Sequence, residues 1–169
     1  MATQEQTAMT SLVTAPRVLV AFAIDRDVGG EYEIMYAVPA GGATFVLDNS
    51  PFYVYGLSYC DTFEAAQRDE RLIFTKVIAR GGHSTYRIRL PSGADHQYFL
   101  LHWQDLEKLG CTYEGSSSGE ARLYSIDMAP TVDVAAAYAY MDQKEREGTW
   151  CFEEGHYYKP GCGSSPQET

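Results

Sequence analysis

The sequence predicts an α+β chain of two lobes: a small antiparallel β-sheet or barrel, then a strand-helix-strand-strand-helix-strand unit. Three observations carry this expectation. Short apolar segments separated by Gly, Pro, Asn and Asp turn signals fill residues 17–80. Helical spacing appears only after residue 81, in two stretches that each close on a glycine. Strand-like segments flank and separate those two stretches in the order βαββαβ.

Residues 1–16 are polar and aperiodic and are expected to form a loose arm. In Arg17 to Asp25 both alternating sets, Val18-Val20-Phe22-Ile24 and Leu19-Ala21-Ala23, are apolar, which predicts a strand buried on both faces. Asp27-Val-Gly-Gly30 predicts a turn. Tyr32, Ile34, Tyr36 and Val38 then alternate with Glu31, Glu33 and Met35 as a half-exposed strand paired with the first. Pro39-Ala-Gly-Gly42 turns the chain into a short strand, Ala43 to Leu47. Asp48-Asn-Ser-Pro51 is a further turn, and the aromatic Phe52 to Tyr59 reads as another short strand. Gln67-Arg-Asp-Glu70 predicts a hairpin turn into Arg71 to Ile78.

The second lobe, residues 81–158, opens after Gly81-Gly82. Tyr86, Ile88 and Leu90 alternate with Thr85, Arg87 and Arg89, which predicts a half-buried strand with a basic outer face. Phe99, Trp103 and Leu106 mark a helix stopped by Gly110. Thr112 to Glu114 and Ala121 to Met128 flank a Gly115-Ser-Ser-Ser-Gly119 hairpin loop. Thr131 is the expected N-cap of the last helix, Asp133 suits its positive end, and Gly148 closes it. Thr149 to Tyr158 has strand character, and residues 159–169 are expected to be a flexible tail. A split βαβ of this kind is ferredoxin-like, with right-handed crossovers placing both helices on one face.

A net charge of −10 and a pI near 4.7 argue against nucleic acid or an anionic membrane as partner. They admit a basic protein or a small anionic ligand. Residues 1–16 lack the basic and apolar regions of a signal peptide, so a cytoplasmic chain with reduced thiols is expected. Cys151, His156 and Cys162 come nearest to ligand spacing but match no usual zinc pattern, so neither a metal nor another cofactor is expected.

No nucleotide-binding or nucleophile-elbow motif is present. His83, beside Ser84 and near Arg87 and Arg89, is the first candidate: a base with hydroxyls and anion-holding guanidiniums close by. Gly-Gly before a strand is equally a turn, and alternating arginines a solvated face. Asn49, Phe52 and Tyr55 could form a pocket lip, although an Asn before Ser-Pro also caps its own backbone. Asp61 could be a general acid or simply begin a turn. Glu153 and Glu154, adjacent in a strand, face opposite sides and cannot act as paired carboxylates.

Asn49-Ser-Pro-Phe52, Gly82-His-Ser-Thr-Tyr-Arg87, Leu109-Gly-Cys-Thr-Tyr-Glu114 and Glu147-Gly-Thr-Trp150 follow one another in a recognisable order. The chain resembles, over residues 17–158, the bacterial family known as domain of unknown function 4265. Cys60 departs from the glycine that this pattern places before Asp61. The resemblance implies a bacterial cytoplasmic protein and draws attention to Asn49, Pro51, Phe52, Asp61, His83, Ser84, Thr85 and Arg87. It implies no activity. The expected function is therefore that of a non-enzymatic binding protein, a regulator or an immunity or self-resistance factor that masks a partner. Its rival is a small enzyme or biosynthetic accessory protein in which Asn49 and Asp61 meet His83, Ser84 and Arg87 at the joint of the lobes.

Overall fold

The computed structural model describes residues 16–24, 30–116 and 122–161. The first lobe holds β1 (Val18–Ala23), β2 (Tyr32–Gly41), β3 (Thr44–Leu47), β4 (Thr62–Arg68) and β5 (Arg71–Ala79), closed into a barrel. Each strand is antiparallel to the next, except that β1 meets β5 in parallel at Val20↔Leu72 and Ala21↔Ile73. The strand count dictates this. Five strands running alternately up and down leave the first and last pointing the same way, so closure must be parallel. Closure also leaves the barrel without a free edge. Its interior is filled by Val20, Phe22, Met35, Phe45, Leu47 and Phe63, among others.

The second lobe holds β6 (Ser84–Arg89), α1 (His96–Lys108), β7 (Thr112–Ser116), β8 (Leu123–Met128), α2 (Val134–Arg146) and β9 (Cys151–His156). The sheet order β7-β8-β6-β9, antiparallel throughout, is that of a ferredoxin-like unit. Phe99, Trp103 and Leu106 of α1 and Ala137 and Met141 of α2 share one core with Tyr86, Ile88, Tyr124 and Ile126. Phe99 stacks on Tyr124 with ring centroids 3.7 Å apart. Gly110 (φ +93°) follows the Leu109 C-cap and Gly148 (φ +76°) follows the Glu147 C-cap, left-handed positions that suit glycine.

Several expectations need correcting. The N-cap of α2 is Asp133, whose side chain accepts from Ala136 N, and Thr131 lies in the preceding turn. Phe52 to Tyr59 is irregular rather than a strand, while Thr62–Arg68, with little β-branched character, is one. β1 is not buried on both faces, because Leu19 is exposed. On β2 the expected apolar face points outward: Glu33 and Met35 are buried, and Tyr32, Ile34 and Tyr36 are exposed. The 27–30 turn and the 115–119 loop lie largely outside the described residues.

No helix among the described residues is long and apolar enough to cross a membrane. The helices cover one face of the second sheet, and the irregular segment 48–61 of the first lobe lies against the other, tied to it by hydrogen bonds between the lobes.

Candidate functional site

Buried or half-buried polar clusters line both sides of segment 48–61, toward β2 of the barrel and toward the second sheet. The first is built on Glu33. Its Oε1 accepts from Phe52 N (2.7 Å), and its Oε2 from Tyr53 N (3.0 Å) and Val54 N (2.9 Å). A strand carboxylate thus supplies the acceptors that an irregular backbone cannot find within itself.

Arg87 is the second. The expected solvated arginine is 1% exposed, because segment 48–61 covers the face it points from. It donates through Nη1 to Glu153 Oε1 (3.0 Å), through Nη2 to Val54 O, and through Nε to Pro51 O (3.4 Å). Tyr55 lies over the guanidinium at 4.4 Å and donates to Glu153 Oε2 at 2.9 Å. A Cβ on Gly155 would stand 3.3 Å from Nη2, so this glycine leaves room for the guanidinium. Glu154 faces the other side of the sheet and accepts from Tyr86 OH.

Asn49 does not cap its own turn. Its Oδ1 accepts from Tyr36 N (2.6 Å) and its Nδ2 donates to Glu114 Oε2 (3.0 Å), while Glu114 Oε1 accepts from Ser50 N. Ser125 donates to Pro51 O, so the proton in its 2.8 Å contact with Ser50 comes from Ser50. Ser58 accepts from Thr85 Oγ1 and lies 2.9 Å from His156 Nδ1. Ser58 is fully buried, which makes it a poor nucleophile despite its histidine.

Asp61 is fully buried and accepts from Arg80 Nη1 (2.8 Å), Gly81 N (2.9 Å) and Ser58 N (3.1 Å). These donors occupy it, so it is not placed to act as a general acid. Gly81 presses on the same turn: a Cβ there would stand 2.5 Å from the carbonyl carbon and oxygen of Cys60. Gly81→Ala should therefore cost about 1–3 kcal/mol, read as a lower urea midpoint. Cys60 adopts a left-handed φ of +66°, where glycine would be unstrained. Cys60→Gly should be more stable than Cys60→Ala by about 1 kcal/mol, because only glycine relieves that conformation.

His83 lies at the edge of the seam. Its Nδ1 donates to both oxygens of Asp127, at 2.9 and 3.0 Å, and Tyr59 stands edge-on at 5.3 Å. Burial lowers its pKa, but hydrogen bonds with Asp127 and Cys60 outweigh that and raise it from 6.5 to about 9. His156 moves the other way, lowered by burial and by Arg80. The stability that protonated His83 contributes is complete below pH 6.5 and is lost as pH rises toward 9. That loss amounts to up to about 3 kcal/mol. Neutral His156 contributes stability above pH 6.5 that is lost on acidification. Urea midpoints measured across pH should therefore fall on both sides of 6.5, and His83→Gln should flatten the alkaline limb alone.

The residues singled out in the sequence do not converge on one hydrogen-bonded centre. Asn49 holds Glu114, Asp61 holds Arg80, and Arg87 holds Glu153. His83 holds Asp127, and the buried Ser84 accepts from Tyr158 N. Phe52 contributes its amide to Glu33, Tyr55 covers Arg87, and Arg89 faces solvent. Glu33, Ser58, Glu114, Ser125 and Asp127 went unread. Glu33 alone carried a signal, because it shares strand parity with Met35 and Ala37. Among the described residues no group of three or more His, Cys, Asp or Glu is placed to hold a metal ion; Cys162 lies outside them.

A search of curated proteins finds no match. Among solved structures the chain is similar to a hypothetical protein from Neisseria gonorrhoeae. The TM-score is 0.67 at 16% identity, over 83% of this chain and 95% of that one. The likeness is one of fold. The family model described as domain of unknown function (DUF4265) matches residues 33–152. That span takes in Glu33, Asn49, Asp61, His83, Arg87 and Asp127 and leaves β1, Glu153 and His156 outside. The chain belongs to this family.

Proposed function

We propose that the chain is a binding protein that masks a basic partner protein through the outer face of its barrel. The observation that carries this reading is the inverted alternation of β2. Tyr32, Ile34 and Tyr36 are 40–49% exposed, and Leu19 of β1, opposite Tyr36, is 54% exposed. A strand that turns Glu33 inward and its large apolar side chains outward has a surface suited to being covered. Tyrosine serves such surfaces well, with a broad apolar ring and a polar tip. A groove of about 640 Å³ runs along this face, lined by Leu19, Ala21, Tyr32, Ile34, Gln67 and Glu70, among others.

Charge selects the partner. Two copies meeting on this face would bring two net charges of −10 together, whereas a basic protein gains from the same field. In this reading the protein works in the cytoplasm as a regulator, and an immunity or self-resistance factor is one form of it. The unpaired thiols of Cys60, Cys111 and Cys151 support a reducing compartment.

The test is capture from the native host, followed by calorimetry with the captured protein purified and recombined. A basic partner whose Kd loosens about 100-fold with Ile34→Asp, the fold being intact by circular dichroism, is the expected result. Self-association through this face, an acidic partner, or a Kd indifferent to Ile34→Asp would overturn the proposal.

A further inference from the structure

The parallel closure of the barrel is short, and space lies beside it. β1 pairs with β2 along its whole length but with β5 only at Val20↔Leu72 and Ala21↔Ile73. Past those two pairs the strands continue through residues 22–24 and 74–77. Both stretches line a cleft of about 710 Å³, and residues 54–57 form its further wall. A volume of this size suits a small organic molecule. The floor is apolar: Phe22, Val54 and Leu57 are buried, and Phe74 and Val77 are half-buried. The further wall is fixed before any ligand arrives, because Val54 N is held by Glu33 and Gly56 N donates to Gly155 O at 2.9 Å.

The charged lining has one sign. Arg68, Lys76 and Arg80 line the cleft, and no acidic side chain is among its described lining residues. In a chain of net charge −10 this grouping runs against the overall field. Lys76 shares an exposed ion pair with Glu64 at 3.2 Å, whereas Arg68 has no ion pair among the described residues. Arg80 is held by one corner: Nη1 donates to Gly56 O at 2.7 Å and to Asp61 Oδ2 at 2.8 Å. Nε and Nη2 form an edge that can grip a carboxylate in two parallel bonds, and neither has a hydrogen-bond partner among the described residues. Asp61 offsets the charge of Arg80 but leaves those donors, so a ligand must bring acceptors and not only negative charge.

We propose that this cleft binds a small carboxylate with an apolar body, of the kind a medium-chain alkanoate represents. The carboxylate takes the Nε–Nη2 edge of Arg80, with Arg68 and Lys76 beside it, and the chain lies on Phe22, Phe74 and Leu57. An inorganic anion would leave that apolar floor uncovered, and a neutral lipid would leave the guanidinium edge without acceptors. The cleft shares no lining residue with the groove on the outer face of the barrel, so the site is separate from the masking of a partner.

The test titrates the full, isotope-labelled chain with decanoate, decanol and decyltrimethylammonium, which share a chain and differ in head group, and follows the backbone amide shifts by nuclear magnetic resonance. Shifts should saturate at residues 22–24, 54–57 and 74–77, with decanoate bound at least about tenfold more tightly than the other two. Arg80→Lys can keep a bond to Asp61 but loses the planar fork, and should weaken decanoate about tenfold while leaving decanol unchanged. Arg68→Gln, at an exposed position outside the ion pairs, should weaken decanoate about twofold to fivefold with its fold intact. Ile34→Asp should leave the decanoate affinity unchanged, so failure of this site and failure of the partner-binding face are read separately. Absence of saturable binding, equal affinity for the three head groups, shifts centred on Tyr32 and Ile34, or indifference to both arginine substitutions would overturn the proposal.

Discussion

Arg87→Met should lower the stability of the protein by about 3–5 kcal/mol, more than a surface arginine could. The guanidinium is buried and holds three acceptors, Glu153, Val54 O and Pro51 O, that come from β9 and from segment 48–61. Methionine fills much of the volume but donates nothing. The Val54 carbonyl would then stay buried without this donor, and such groups cost about 1–3 kcal/mol each. Pro51 O keeps Ser125, and Glu153 is half exposed and regains water, so the loss falls short of the sum. Arg87→Lys restores the charge but not the planar fork and should recover only part of it. A fall in Tm on the order of 10 °C is the corresponding thermal signal. A change within 1 °C would mean that Arg87 is an ornament of the seam.

Glu33→Ala should cost about 3–4 kcal/mol, although the residue lies on a strand whose neighbours Tyr32 and Ile34 face water. Three consecutive amides, Phe52, Tyr53 and Val54, converge on one carboxylate. Hydrogen bonds to a charged acceptor are each worth about 1.5–3 kcal/mol, and neighbouring ones do not add fully. Glu33→Gln keeps one acceptor oxygen but turns its amide NH2, a donor, toward the other backbone N–H groups, so it should be destabilised nearly as much. Urea denaturation of both variants checks this. Equal midpoints for wild type and Glu33→Ala would show that water replaces the carboxylate at no cost.

The architecture was legible in the sequence wherever periodicity and caps decide it. Phe99, Trp103 and Leu106 marked α1, and Gly110 and Gly148 marked the helix ends. The order of elements after residue 81 was enough to give the sheet order. Two kinds of feature stayed hidden for physical reasons. β4, with the sequence Thr-Phe-Glu-Ala-Ala-Gln-Arg, has weak strand propensity and is held by its neighbours in the closed barrel. The polar seam was hidden because its bonds join residues far apart in the chain. Arg87 has the alternation of a solvated face and becomes buried only when segment 48–61 lies over it. Asn49 has the neighbours of a local cap, and its partners prove to be Tyr36 and Glu114.

The segment running from Gly81 to Arg87 divides into two roles. Arg87 and Thr85 join the lobes, while His83 stands at the margin with Asp127 and Tyr59. If the seam joins the lobes, neither can unfold without the other, and partner binding must use the outer surfaces.

Both tryptophans, Trp103 and Trp150, lie in the core of the second lobe, and the barrel has none. Glu33 and the three amides it holds all belong to the first lobe. Urea unfolding of Glu33→Ala, followed by tryptophan fluorescence and by far-ultraviolet circular dichroism, thus reads in one lobe the consequence of a change made in the other. A single transition with coincident midpoints, both shifted down from wild type, is the predicted result. A fluorescence midpoint that stays at the wild-type value while circular dichroism splits into two steps would contradict the joined seam.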